Sequence, residues 1–159
     1  MEDKWVKKML DERYYAGFSQ RVIAFFYDMF SLLVVLCLVG SVSTWWVVSR
    51  SNAPDDATLT QLMDYIYEYE FHLVIINTVV LSLTAIVFHF ILPAFKRQTI
   101  GMKMVGLYLL DENANEITKG QYLKRELLKL VLFPTLFMLL IGKGKRPLYD
   151  RMTGVYLLE

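Results

Sequence analysis

Apolar residues fall into long blocks, and the charged residues lie between them. The first block runs from about Val22 to Val48, and its stretch from Met29 to Val48 holds no charged residue. About 20 residues rising 1.5 Å each cover the ~30 Å hydrocarbon core of a bilayer. The second block, from about Phe71 to Leu92, also lacks Asp, Glu, Lys and Arg. It is long enough to span, and Pro93 is expected to end it. A polar loop, about Ser49 to Glu70, joins the two. The third block, Leu127 to Gly142, is apolar except for Lys129 and is divided by Pro134. Its length of roughly 16 residues reaches only ~24 Å. Two readings stay open for it: a re-entrant or interfacial hairpin bent at Pro134, or a span in a thin membrane. The pattern predicts an all-α membrane protein of one domain, residues 1–159. An antiparallel transmembrane hairpin, with spans at about 22–48 and 71–92, is joined by a short third apolar segment at about 127–142.

Charge sets the expected orientation. Lys4, Lys7, Lys8, Arg13 and Arg21 precede the first span, and Lys96, Arg97, Lys103, Lys119, Lys124 and Arg125 follow the second. The intervening loop holds Asp55, Asp56, Asp64, Glu68 and Glu70 but only one basic residue, Arg50. Lys and Arg accumulate on the cytoplasmic side, so the N-terminus and the region after Pro93 are expected inside and the acidic loop outside. The basic tail, Lys143, Lys145, Arg146 and Arg151, obeys the same rule only if the third block turns back. Gly106–Asp111 resembles Gly154–Glu159 in composition and order. This predicts a small cytoplasmic β pair from strands at about 104–111 and 154–159, with Asp111–Asn115 as a turn. The first block is too long for a cleaved signal peptide, and Trp45 and Trp46 follow it where small residues would be needed.

Composition narrows the chemistry. The net charge of +1 favours no nucleic-acid partner. The single cysteine, Cys37, excludes an internal disulfide. His72 and His89 are far apart, and no metal-spaced cluster, phosphate-cradling glycine loop or nucleophile constellation is present. No enzyme activity, metal or cofactor is expected, and the lipid bilayer is the first partner.

The informative residues are ionisable groups at membrane depth. Arg21, Ala24, Asp28 and Ser31 share one helix face. An Asp at a span's centre costs about 2.5–3.5 kcal/mol, and less near an edge, whereas one Leu returns only about 0.3–0.6. Asp28 therefore needs a partner. Arg21 lies about 10 Å away along the helix, so the expected partners come from another segment: Arg125, Lys129, Arg151 or His89. In the second span, Thr78, Ser82, Ala85 and His89 form a stripe suited to helix contact, or to a polar pathway. Asp150 and Arg151 adjoin in the tail.

These residues resemble the RDD family of bacterial membrane proteins, named for one Arg and two Asp. The resemblance rests on Arg21-Val-Ile-Ala24-Phe-Phe-Tyr-Asp28, on Gln98-Thr-Ile-Gly101-Met-Lys103-Met-Val-Gly106-Leu-Tyr-Leu-Leu-Asp111, on Arg125, and on Leu148-Tyr-Asp150-Arg151-Met-Thr-Gly154. Val155 stands where the family often has Thr. The resemblance covers about Gln20 to Glu159 and names Arg21, Asp28 and Asp150 as the triplet. It implies a multi-pass protein of the bacterial cytoplasmic membrane. A transport role, such as cation/proton exchange or service as a transporter accessory subunit, is one expectation. A non-catalytic scaffold or interaction protein is the alternative. With so few spans, a homo-oligomer or a larger membrane complex is expected. Arg21, Asp28, Asp150, Arg125, Arg151 and His89 are the candidate site, a polar cluster at the cytoplasmic edge of the spans.

Overall fold

The computed structural model describes residues 11–54, 56–132, 134 and 146–159. It is mostly helical with one small sheet. Helix α1 is Phe18–Arg50, α2 is Leu59–Tyr69 and α3 is Phe71–Ile86. A π-helical turn, Val87–Ile91, continues α3 into α4, Leu92–Lys96. Then follow α5 (Ile100–Val105), β1 (Tyr108–Leu110), α6 (Lys119–Val131), α7 (Leu148–Met152) and β2 (Tyr156–Leu158). The chain divides into two compact units, residues 1–31 with 89–159, and residues 32–88.

Two helices are long and apolar enough to cross a membrane: α1 with 33 residues, and Phe71–Lys96 with 26. In their most apolar windows only 6% and 0% of residues are buried by protein. Phe26, Phe30, Leu33, Leu38 and Val42 are each more than half exposed. Full burial of such a side chain is worth about 1.5–3 kcal/mol. Water would leave that unclaimed on every turn, whereas a bilayer supplies it.

The second helix does not stop at Pro93. Proline lacks an N–H, and its ring crowds the carbonyl four residues earlier. The π turn directly before it widens the backbone where that crowding would fall. The helix therefore continues to Lys96, and Arg97 ends it in the left-handed conformation at φ 53°. The expected boundary at Leu92 is thus about one turn short.

In the unit of residues 32–88, the polar connection is partly helical. Thr58 caps α2 by accepting from the Gln61 N–H, and the Gln61 side chain returns to the Thr58 N–H. Ile66 of α2 packs with Val47 and Leu73, while Leu62 and Val74 flank them. Val47 lies by Leu73, and a Cβ on Gly40 would meet Leu81 at 3.7 Å. Residue numbers rise on one helix as they fall on the other, so the two run antiparallel. Along the expected stripe on the second span, Ala85 and His89 are half-buried. Thr78 and Ser82 are exposed, and the Thr78 hydroxyl donates to the Val74 carbonyl of its own helix.

The other unit is built on the sheet. Strands β1 and β2 pair antiparallel, Tyr108 with Leu158, Leu109 with Leu157 and Leu110 with Tyr156. The strands are shorter than expected, because residues 104 and 105 belong to α5. Gly106 at φ 77° turns the chain out of that helix, and Gly154 at φ 63° does the same after α7. Each turn carries the same closing bond five residues back: Leu107 N–H to Met102 O at 2.8 Å, and Val155 N–H to Asp150 O at 3.0 Å. The likeness of the two segments thus extends to a repeated helix–glycine–strand unit. On the outer edge of β2, Ala16 N–H donates to Leu157 O at 2.9 Å and Glu159 N–H to Tyr14 O at 3.0 Å. The turn at Asp111–Asn115 forms as expected, with the Asp111 carboxylate accepting from the N–H groups of Asn113 and Asn115. Ala16, Ala24, Met102, Leu107, Leu109, Ile117, Tyr122, Val155 and Leu157 make the core. Beyond residues 127–132 and 134, the third apolar block lies outside the described residues.

Candidate functional site

Five charged side chains join α1, α6 and α7 in one chain of ion pairs. Arg21 Nη1 donates to Asp150 Oδ2 at 2.7 Å, and Arg125 Nε donates to Asp150 Oδ1 at 2.7 Å. Arg125 Nη1 reaches Glu126 Oε1 at 2.7 Å, and Lys129 Nζ reaches Glu126 Oε2 at 3.0 Å. Asp150 is wholly buried, Arg125 is 1% exposed and Glu126 3%. Charges so buried are tolerated only when paired and hydrogen-bonded.

Local structure delivers each of them. Gly17 begins α1, and its N–H is taken by the Gln20 side chain at 2.7 Å. That places Arg21 in the first turn, where its Nε also donates to the Ala16 carbonyl at 3.1 Å. A capping box on Thr118 and Gln121 starts α6. The period of that helix then turns Tyr122, Arg125 and Glu126 inward together. Asp150 lies in the single turn of α7, whose Thr153 hydroxyl donates back to Tyr149 O at 2.8 Å.

Electrostatics follow from the pairing. Burial alone would raise the Asp150 carboxyl, but Arg125 and Arg21 outweigh it and hold it below the usual aspartate range. Burial likewise pushes up the Tyr149 hydroxyl, with Asp150 adding to the effect.

Asp28 is served differently. Its Oδ1 accepts from the Gly101 N–H at 2.7 Å. Gly101 lies in the first turn of α5, where amides have no partner within the helix. The Thr99 hydroxyl accepts from Met102 N–H at 3.1 Å beside it. The expected side-chain cation for Asp28 is therefore replaced by a backbone donor from another segment. The approach is close: a Cβ on Gly101 would fall 1.9 Å from Ala24 O and 2.9 Å from Asp28 Cγ. Arg21, Ala24 and Asp28 thus share a face because that face receives α7 at one end and α5 at the other.

Of the six candidate residues, Arg21, Arg125 and Asp150 meet directly, and Asp28 lines the same cavity as Arg21 and Arg125. Arg151 is exposed and stands outside the ion-pair chain. It follows Asp150 on a one-turn helix, and when Asp150 points inward its neighbour points away. His89 is half-buried in the π turn, edge-on to Phe90, and makes no ion pair among the described residues. Sequence reasoning missed Glu126, although its spacing from Lys129 was a readable signal. It also gave Gly101 no role. Among the described residues no cluster of His, Cys, Asp and Glu could hold a metal.

The cavity beside the network has a volume of about 280 Å³. Its lining includes the charged Arg21, Asp28, Arg125 and Lys129 beside apolar side chains such as Phe18, Val22, Phe25 and Phe26.

The model of the RDD family matches residues 15–154, a range that holds every residue of this site. No curated protein and no solved structure matches the chain.

Proposed function

The chain belongs to the RDD family, membrane-type proteins with apolar helices, and from that premise we propose that it is a non-catalytic scaffold of the bacterial cytoplasmic membrane. It works by holding a partner, either further copies of itself or a larger membrane complex. One observation carries this reading: the acidic groups of the triplet are already engaged. Asp150 takes two guanidinium groups, and Asp28 takes the Gly101 amide. A carboxylate that exchanges cations must bind and release them. Here each carboxylate instead ties one segment of the chain to another. The hydroxyls of Ser41, Thr78 and Thr84 likewise donate to carbonyls of their own helices.

The Lys and Arg distribution supports placing both termini in the cytoplasm. Hydrogen bonds among residues 14–16, β1 and β2 are consistent with that side, since segments so joined share one face of the bilayer.

A second reading, transport, draws on a specific feature: Asp28 lines a cavity together with three cations. Proteoliposomes separate the two. Purified protein should give no cation-dependent proton flux above protein-free vesicles. Arg21→Gln and Asp150→Asn should lower membrane abundance and any complex formation together. Flux that Asp28→Asn abolishes at normal abundance would overturn the scaffold reading and establish transport.

A further inference from the structure

A surface helix in water turns its apolar stripe to the core and its charges outward. Helix α6 does the reverse. Arg125 and Glu126 are buried with Tyr122, while Leu123, Leu127, Leu130 and Val131 are exposed, the last three by more than half. That outer face suits acyl chains, which water cannot replace. Beside it lies a second groove, of about 160 Å³, where α4 and the π turn meet α6. Phe90, Ile91, Ala94, Phe95 and Leu123 form its apolar wall, and Lys119 is the charged residue among its described lining. The lysines near this groove are unmatched. Lys119 is exposed, and its Nζ stands 4.4 Å from the centre of the Phe95 ring. Lys96, which ends α4, and Lys124, which follows Leu123, are exposed as well. The ion pairs among the described residues include none of the three. Glu116, which precedes Lys119, is taken by Arg97. A Cβ on Gly120 would meet nothing within 4 Å, so the helix surface beside Lys119 is open.

We propose that this groove holds an anionic phospholipid, with one acyl chain along its apolar wall and the phosphate on Lys119 and Lys124. The site goes beyond the scaffold reading and uses none of its ion pairs. Basic residues just cytoplasmic of a span attract the negative leaflet, and basic pockets between membrane helices take lipid head groups. The ring beneath Lys119 holds the ammonium without consuming its N–H donors, which stay available to phosphate oxygens. Phosphatidylcholine would bring its own cation to the same lysines, so a head of net negative charge is preferred. The groove is smaller than the roughly 300–1,000 Å³ of pockets that enclose a whole ligand. It suits one segment of a chain whose remainder lies in the bilayer.

The test uses the purified full-length chain in neutral detergent, with lipid binding read by native mass spectrometry. Dioleoyl phosphatidylglycerol and dioleoyl phosphatidylcholine compete at equal concentration, and inorganic phosphate is the head without a chain. Phosphatidylglycerol should be retained in clear excess, and inorganic phosphate should not displace it. Lys119→Gln and Lys124→Gln should each weaken it about fivefold, the scale of one lysine at an anionic bilayer surface. Lys103→Gln, exposed on α5 and outside the groove, should leave it unchanged. Ala94→Leu fills the groove without touching a charge and should weaken it about as much as a lysine variant. Melting temperatures without added lipid check each variant, and Leu123→Gln replaces Ala94→Leu if that variant is destabilised. Equal retention of the two lipids, displacement by inorganic phosphate, an equal loss from Lys103→Gln, or indifference to the groove variant would overturn the proposal. A dimer that Ala94→Leu dissociates would give the groove to a second copy and overturn it as well.

Discussion

Asp150 holds two arginines from different helices at once, and its removal leaves Arg21 without an anion among the described residues and Arg125 with Glu126 alone. Breaking a buried pair from one side commonly costs about 3–5 kcal/mol, because the remaining charge is stranded. Asp150→Asn should therefore lower the melting temperature of purified protein markedly, whereas Arg151→Gln, at an exposed position, should leave it nearly unchanged. The same residue sets an acid limit. Its folded-state carboxyl lies below the ordinary value of 3.8, so it is the ionised form that stabilises the fold. That contribution is complete above the ordinary aspartate range and is lost as pH falls through the folded value. Melting temperatures should be level from about pH 8 to 5 and decline below about pH 4. A decline of the same size in Asp150→Asn would remove Asp150 as its source. Gly101 works by having no side chain. A Cβ there meets backbone, Ala24 O at 1.9 Å, which cannot rotate away. Gly101→Ala gains about 1 kcal/mol in helix propensity. It should nevertheless destabilise by about 1–3 kcal/mol or more through overpacking, and weaken the Asp28 bond.

At the scale of elements, neither strand has more than three residues, and two such strands alone are marginal. They persist because residues 14–16 hydrogen-bond along the far edge of β2, and because Leu107, Leu109, Val155 and Leu157 enter the core. Deleting residues 154–159 should therefore lower the amount of folded protein in the membrane rather than trim a free tail. Undiminished abundance and an unchanged melting temperature would contradict this. The π turn before Pro93 illustrates a second element-scale compromise, in which one irregular turn lets an apolar helix pass a proline. The sequence shows the proline but not the accommodation, because that depends on backbone geometry over the preceding turn.

For the molecule as a whole, orientation is the testable property. Residues 14–16, β1, β2, α6 and α7 are joined by hydrogen bonds and ion pairs. On the proposed orientation these segments lie together on the cytoplasmic side. Fusions of an enzyme active only outside the cell should be silent after Gly106 and after Glu159, and active within residues 51–58. Activity after Glu159 with silence after Gly106 would require three complete spans.

Legibility in the chain followed the range of the interaction concerned. Span lengths, charge asymmetry, the Asp111 turn and the paired Gly-x-Tyr-Leu-Leu segments depend on residues within one or two turns of each other, or on transfer between water and lipid. Both are properties of local composition, so they could be read directly. The need of Asp28 for a partner was readable for the same reason, since it is a solvation cost. The identity of that partner was not, because Gly101 lies 73 residues away and offers a backbone amide that every residue type shares. Arg21 and Asp150 are 129 residues apart, and only packing of α1 on α7 brings them within 2.7 Å. Composition determined that charges must pair out of reach of lipid, whereas the close approach of α5, α6 and α7 to one face of α1 decided which ones.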